Sequence, residues 1–110
     1  MKKSFIFKGV IQIEKLTIKD IQNHLSELSG WSLADEKWIE RKYRFSEYLN
    51  GIEFVQSVAD RSEEVNHHPF ISIDYKVVTL RISSWRVRGL TLLDIELAKQ
   101  FDELYLKIKK

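Results

Sequence analysis

At 110 residues, and with a prior of about one domain per 150 residues, the chain reads as a single domain spanning 1–110, too small to hold a separate cofactor-binding unit. Charged residues make up 31% of the chain, but 18 lysines and arginines against 16 acids leave a net charge of only +2, which argues against a polybasic nucleic-acid-binding surface. The absence of cysteine excludes disulfides, thiolate catalysis and cysteine-ligated zinc or iron–sulfur sites, and no apolar run approaches the roughly 18 residues of a membrane span.

At the start, Lys8 interrupts the short apolar stretch of Phe5, Ile6 and Phe7, and no small-residue cleavage site follows. No signal peptide is expected, and the chain reads as cytoplasmic. An extra strand is conceivable over Ile6–Ile13. Thr17 is placed to cap a first helix from about Ile18 to Ser29, with Asp20 at N3 and Leu16 and Ile21 at staple spacing. Ile18, Ile21, Leu25 and Leu28 share one face of it, and Gly30 ends it.

From Trp31 to Phe45 the period becomes two. Ile39, Tyr43 and Phe45 fall on one side and Glu40, Lys42 and Arg44 on the other, with Asp35-Glu36-Lys37 as a hairpin turn. Ser46 is placed to cap a second helix reaching about Val65, with Tyr48, Ile52, Val55 and Ala59 as its buried face and Phe54 and Val58 beside them. After Pro69 two β-rich runs follow, Phe70–Asp74 and Val77–Trp85. In the second, Val78, Leu80 and Ile82 alternate with Thr79, Arg81, Ser83 and Trp85. Leu90 to Ile95 repeats the capping pattern of Leu16 to Ile21, with Thr91 and Asp94 in the same places. It opens a last helix over Leu92–Lys107 that packs through Leu97, Phe101, Leu104, Tyr105 and Ile108.

Three helices and four strands in the order α-β-β-α-β-β-α predict an α+β fold. Its four-stranded antiparallel sheet carries all three helices on one face.

The segment richest in chemistry is Glu63-Glu64-Val65-Asn66-His67-His68-Pro69, between the second helix and the third strand. Imidazole gives and takes protons near neutral pH, and Pro69 pushes His68 toward an extended backbone. Adjacent side chains on extended backbone point apart, which argues against a shared metal ion. The structural alternative is a chance pair at the solvated end of a helix. His24 reads as a boundary surface residue.

An acid, three residues, His67-His68-Pro69, five residues, Tyr75, nine residues, Trp85, eight residues and Asp94 together resemble the signature of the pterin-4a-carbinolamine dehydratases. Gly30-Trp31, the aromatics Tyr43, Phe45 and Tyr48, Ala59, Gly89-Leu90-Thr91 and Asp94-Ile95-Glu96-Leu97-Ala98 extend the likeness over about Leu16 to Tyr105. The resemblance implies dehydration of 4a-hydroxytetrahydropterin to the quinonoid dihydropterin, with no metal and no organic cofactor. It implies His67 and His68 as the acid–base residues and Glu63 as a negative group beside them. Ser83, Ser84 and Trp85 would line the pterin site, and Asp94 would lie at its rim.

Three positions depart from the better-known members. Trp85 stands where many have a third histidine, Phe70-Ile71 replaces an acid and an aromatic, and Asn66 replaces an acid. Indole has one N–H donor and no basic nitrogen, so Trp85 can stack or donate but cannot exchange a proton. The resemblance also implies a homodimer or homotetramer and a link to aromatic amino-acid hydroxylases. The alternative function is a non-catalytic pterin-binding or protein-interaction module on the same fold. The lysines at the two ends (Lys2, Lys3, Lys107, Lys109 and Lys110) read as solubilising charge.

Overall fold

The structure is a computed structural model that describes residues 14–108; the strand considered at 6–13 lies outside the described residues. Seven elements follow in chain order: α1 (Ile18–Leu25), β1 (Ser32–Ala34), β2 (Trp38–Arg44), α2 (Tyr48–Val65), β3 (Phe70–Asp74), β4 (Val77–Ile82) and α3 (Leu92–Ile108). The strands form one antiparallel sheet in the order β1-β2-β4-β3. Alternation explains its two faces. Ile39 and Tyr43 of β2 and Val78, Leu80 and Ile82 of β4 are each fully buried, in a single cluster with residues from all three helices. The expected order and architecture are those of the structure. Among the described residues no helix is long and apolar enough to cross a membrane.

Four local readings change. Helix α1 stops at Leu25 because Ser26 Oγ donates to Asn23 O at 2.6 Å, and Glu27 and Leu28 N–H donate three residues back rather than four. Leu28 is still buried, and Gly30, at φ 99°, turns the chain into β1. At the start of α2, Ser46 is not the cap; Glu47 holds that position with no side-chain hydrogen bond. The buried face of α2 is rotated to Gly51, Phe54, Val58 and Ser62, leaving Tyr48 exposed. The reason is Phe54, whose ring fills a slot among Tyr43, Phe45 and Tyr105 at centroid distances of 4.6, 5.5 and 5.9 Å. Strand β4 ends at Ile82, three residues short of Trp85.

A polar knot ties α3 to the sheet. Arg41 shares the inward face of β2 with Ile39 and Tyr43, an odd place for a cation. Asp102 Oδ1 accepts from Arg41 Nη1 at 2.9 Å, Tyr43 Oη at 2.6 Å and Trp31 Nε1 at 3.0 Å. The guanidinium also lies 4.5 Å from the centroid of the Tyr43 ring. Burial, and then the bond to Asp102, push the Tyr43 phenol far above its ordinary range, so it remains a donor.

Two substitutions test this packing. Asp102→Ala leaves the buried Tyr43 and Trp31 donors and the Arg41 cation without their acceptor. It should cost about 2–4 kcal/mol, read as a loss of melting temperature on the order of 10 °C or more. Gly51→Ala should stabilise by about 0.5 kcal/mol in denaturant unfolding. The added Cβ would meet Phe45 and Val78 at 3.4 and 3.5 Å, ordinary contact distances.

Candidate active site

Helix α2 ends on Asn66, whose backbone is left-handed (φ 54°, ψ 45°) and whose N–H donates to Ser62 O. His67 N–H donates to the same carbonyl at 3.1 Å. Asparagine tolerates this conformation, and the resulting sharp turn releases residues 67–69 toward β3. The two imidazoles then part company. His67 Nε2 lies 2.7 Å from Asp94 Oδ1, and His68 Nε2 lies 2.6 Å from Glu63 Oε2. Each histidine thus has its own carboxylate, one from the first turn of α3 and one from the last turns of α2.

The two pairs differ in setting. The Asp94 side chain has no solvent exposure and that of His67 has 15%, whereas Glu63 and His68 are 78% and 51% exposed. Asp94 is also saturated with donors. Its Oδ2 accepts from Ser84 Oγ at 2.6 Å, from Thr91 N–H at 2.8 Å and from Thr91 Oγ1 at 3.3 Å. Hydrogen-bonded to Asp94 through Nε2, His67 has Nδ1 as its second site for proton exchange. The positive end of α3 and four donors make a charged Asp94 tolerable in the interior. The exposed pair holds His68 more loosely, as solvent-screened pairs do.

The resemblance implies Asp94 at the rim of a pocket; here its side chain is buried, because it both caps α3 and braces the chain leaving β4. Ser83 and Ser84 are buried beside it, Ser83 Oγ donating to Gly89 O at 3.2 Å and Ser84 Oγ to Asp94. Trp85 follows on the turn, off the sheet face where strand alternation put it. It is 81% exposed, and its indole has no hydrogen bond or ring contact among the described residues. Serial connection through Ser84 and Asp94 therefore brings Ser84, Asp94 and His67 into one network. His68 and Glu63 form a second pair next to it, and Trp85 follows Ser84 as an exposed side chain.

Sequence reasoning missed two contributors. Thr91 was read only as a helix cap, but its N–H and hydroxyl also hold Asp94. Asn66 was read only as a departure, but it makes the turn that separates the imidazoles. Among the described residues no three histidine, aspartate or glutamate side chains group as a metal-ligand set. A cleft of about 370 Å³ lined by Lys15, Leu16, Thr17, Ile18, Glu36 and Lys37 contains none of the predicted site residues. It adjoins the site through Lys15, whose side chain lies against Gly89.

Comparison with known proteins places the chain in a family. The family model described as Pterin 4 alpha carbinolamine dehydratase matches residues 14–104. A relative from Picosynechococcus sp. is 38% identical over 90 residues, covering 82% of this chain and 97% of its own. One from Koribacter versatilis is 40% identical over 90 residues, covering 82% and 95%. Both carry the provisional name pterin-4-alpha-carbinolamine dehydratase. The crystal structure of a transcriptional coactivator/pterin dehydratase from Brucella melitensis superposes with a TM-score of 0.80 at 26% identity, covering 84% of this chain and 99% of that one. A pterin dehydratase-like RuBisCO assembly factor of the alpha-carboxysome shares the fold, with a TM-score of 0.61 at 19% identity over 69% of this chain and 89% of that one. Sequence and fold converge: the chain belongs to the pterin-4a-carbinolamine dehydratase family of hydro-lyases.

Proposed function

We propose that the chain dehydrates a 4a-hydroxytetrahydropterin by histidine acid–base catalysis. The C4a–O bond breaks, the departing oxygen takes up a proton from one imidazole and leaves as water, and N5 gives its proton to the other. The product is the quinonoid dihydropterin. The observation that carries this reading is the pairing of each neighbouring imidazole with its own carboxylate. Two rings so placed give the reaction a separate proton donor and proton acceptor. Asp94 orients His67 from below, and Glu63 supplies negative charge beside His68. Trp85 stacks on the pterin ring, and Ser83 and Ser84 support the loop that carries it. The reaction needs no metal and no organic cofactor.

Assembly into a homodimer or homotetramer fits the same reading, since β3 pairs only with β4 among the described strands and leaves an open edge. Product return to an aromatic amino-acid hydroxylase, within the cytoplasm, would complete a recycling role. A second reading, a protein-interaction module, draws on the helix-free side of the sheet. There the exposed Phe70 stacks on Trp38 at 5.1 Å, under Arg81 at 4.9 Å from the Trp38 ring. The Brucella neighbour's name includes coactivator. That reading predicts a stable complex with another protein and no turnover.

Two variants test the mechanism by the ultraviolet absorbance change of carbinolamine dehydration. His68→Ala should lower kcat by about 100-fold, the usual contribution of a general acid or base; an unchanged rate removes His68 from the reaction. Asp94→Asn should lower kcat by about tenfold, because the amide cannot accept from every donor that now converges on the carboxylate. It should also lower the melting temperature.

A further inference from the structure

The loop from Ser84 to Gly89 is a built feature that the proton transfers leave unused. Ser84 N–H donates to Gly89 O at 2.8 Å and Gly89 N–H returns a bond at 3.4 Å. Inside the loop, Val87 N–H donates to Ser84 O and Arg88 N–H to Trp85 O, each at 3.1 Å. Ser83 Oγ adds a further bond to Gly89 O. Trp85-Arg86-Val87-Arg88 is thereby held in one shape, with Arg88 in the left-handed region at φ 55°.

That turn carries an exposed tryptophan followed by two exposed arginines, Arg86 and Arg88. Arg41, Arg61 and Arg81 each face a carboxylate, on Asp102, Glu64 and Glu40. Arg86 and Arg88 make no ion pair among the described residues. A third cation borders the loop, since the Lys15 stem covers Gly89 so closely that an added Cβ would fall 2.6 Å from its Cε. The local acids are already engaged, Asp94 by Ser84, Thr91 and His67, and Glu63 by His68. The loop is also tied to the catalytic pair, because Ser84 and His67 bind the two oxygens of the same carboxylate.

An exposed indole on one short loop with two arginines that make no ion pair among the described residues suits a planar ligand bearing an anionic substituent. Guanidinium forks match phosphate and carboxylate, and indole offers a stacking face. We infer that this loop selects pterins whose side chain carries an anionic group, with Trp85 on the ring and Arg86, Arg88 and Lys15 attracting the anion. The inference rests on the dehydratase reading and names the substrate class for it. A pterin with a neutral side chain offers these three cations no anionic partner.

The test is calorimetric titration of the full chain at low salt with three dihydropterins: 6-hydroxymethyl, its phosphate monoester and the 6-carboxylate. At least one anionic ligand should bind about tenfold more tightly than the neutral one, as charge-assisted pairing to arginine allows. The preferred anion tells phosphate from carboxylate. The preference should shrink as salt is raised, fall to near one in Arg86→Gln/Arg88→Gln, and persist in Arg86→Lys/Arg88→Lys, which keeps both charges. Equal binding of all three ligands by the native chain, or a preference that survives in the glutamine variant, overturns the inference and leaves the dehydratase reading standing. Failure of all three to bind overturns the dehydratase reading, and this inference with it.

Discussion

The buried carboxylate of Asp94 organises one end of this molecule. It sits in the first turn of α3, where the helix dipole favours negative charge, and it gathers donors from three separate stretches of chain: Ser84 after β4, Thr91 at the helix cap and His67 after α2. Removing a carboxylate from water is costly unless donors replace its hydration. Burying Asp94 therefore obliges those three segments to meet at one point, and in doing so positions His67 and the turn that carries Trp85.

The two histidines are neighbours in sequence but differ in environment. Asn66 adopts a left-handed backbone at the end of α2, and the extended residues that follow send adjacent side chains in opposite directions. His67 goes to an aspartate inside the protein and His68 to a glutamate in solvent. One imidazole is held by a desolvated partner fixed by further donors and the other by an exposed, solvent-screened one. This asymmetry between like residues is what a reaction with one proton donor and one proton acceptor can exploit.

At the opposite side of the helix layer, Asp102 does structural work of the same kind. It joins Trp31, Arg41 and Tyr43 through one oxygen, so α3 is fixed to the sheet by a polar knot as well as by Phe101 and Tyr105. The long α3 therefore carries a fully buried carboxylate in its first turn and a half-buried one two turns further on. One anchors the sheet and the other anchors the candidate site, which keeps the two in register.

Local patterning was enough for the element order, the two sheet faces and the capping of α1, because alternation and cap chemistry act over a few residues. The spacing of Glu63, His67, His68, Trp85 and Asp94 was likewise legible, since it lies along the chain. What lay beyond the sequence were choices made by distant contacts. The face that α2 buries was decided by the room for Phe54 among Tyr43, Phe45 and Tyr105, and the burial of Asp94 by the return of Ser84 alongside α3. The partner of His67 was likewise settled in three dimensions, because a hydrogen bond across 27 residues depends on where two helices lie, and no local pattern records that.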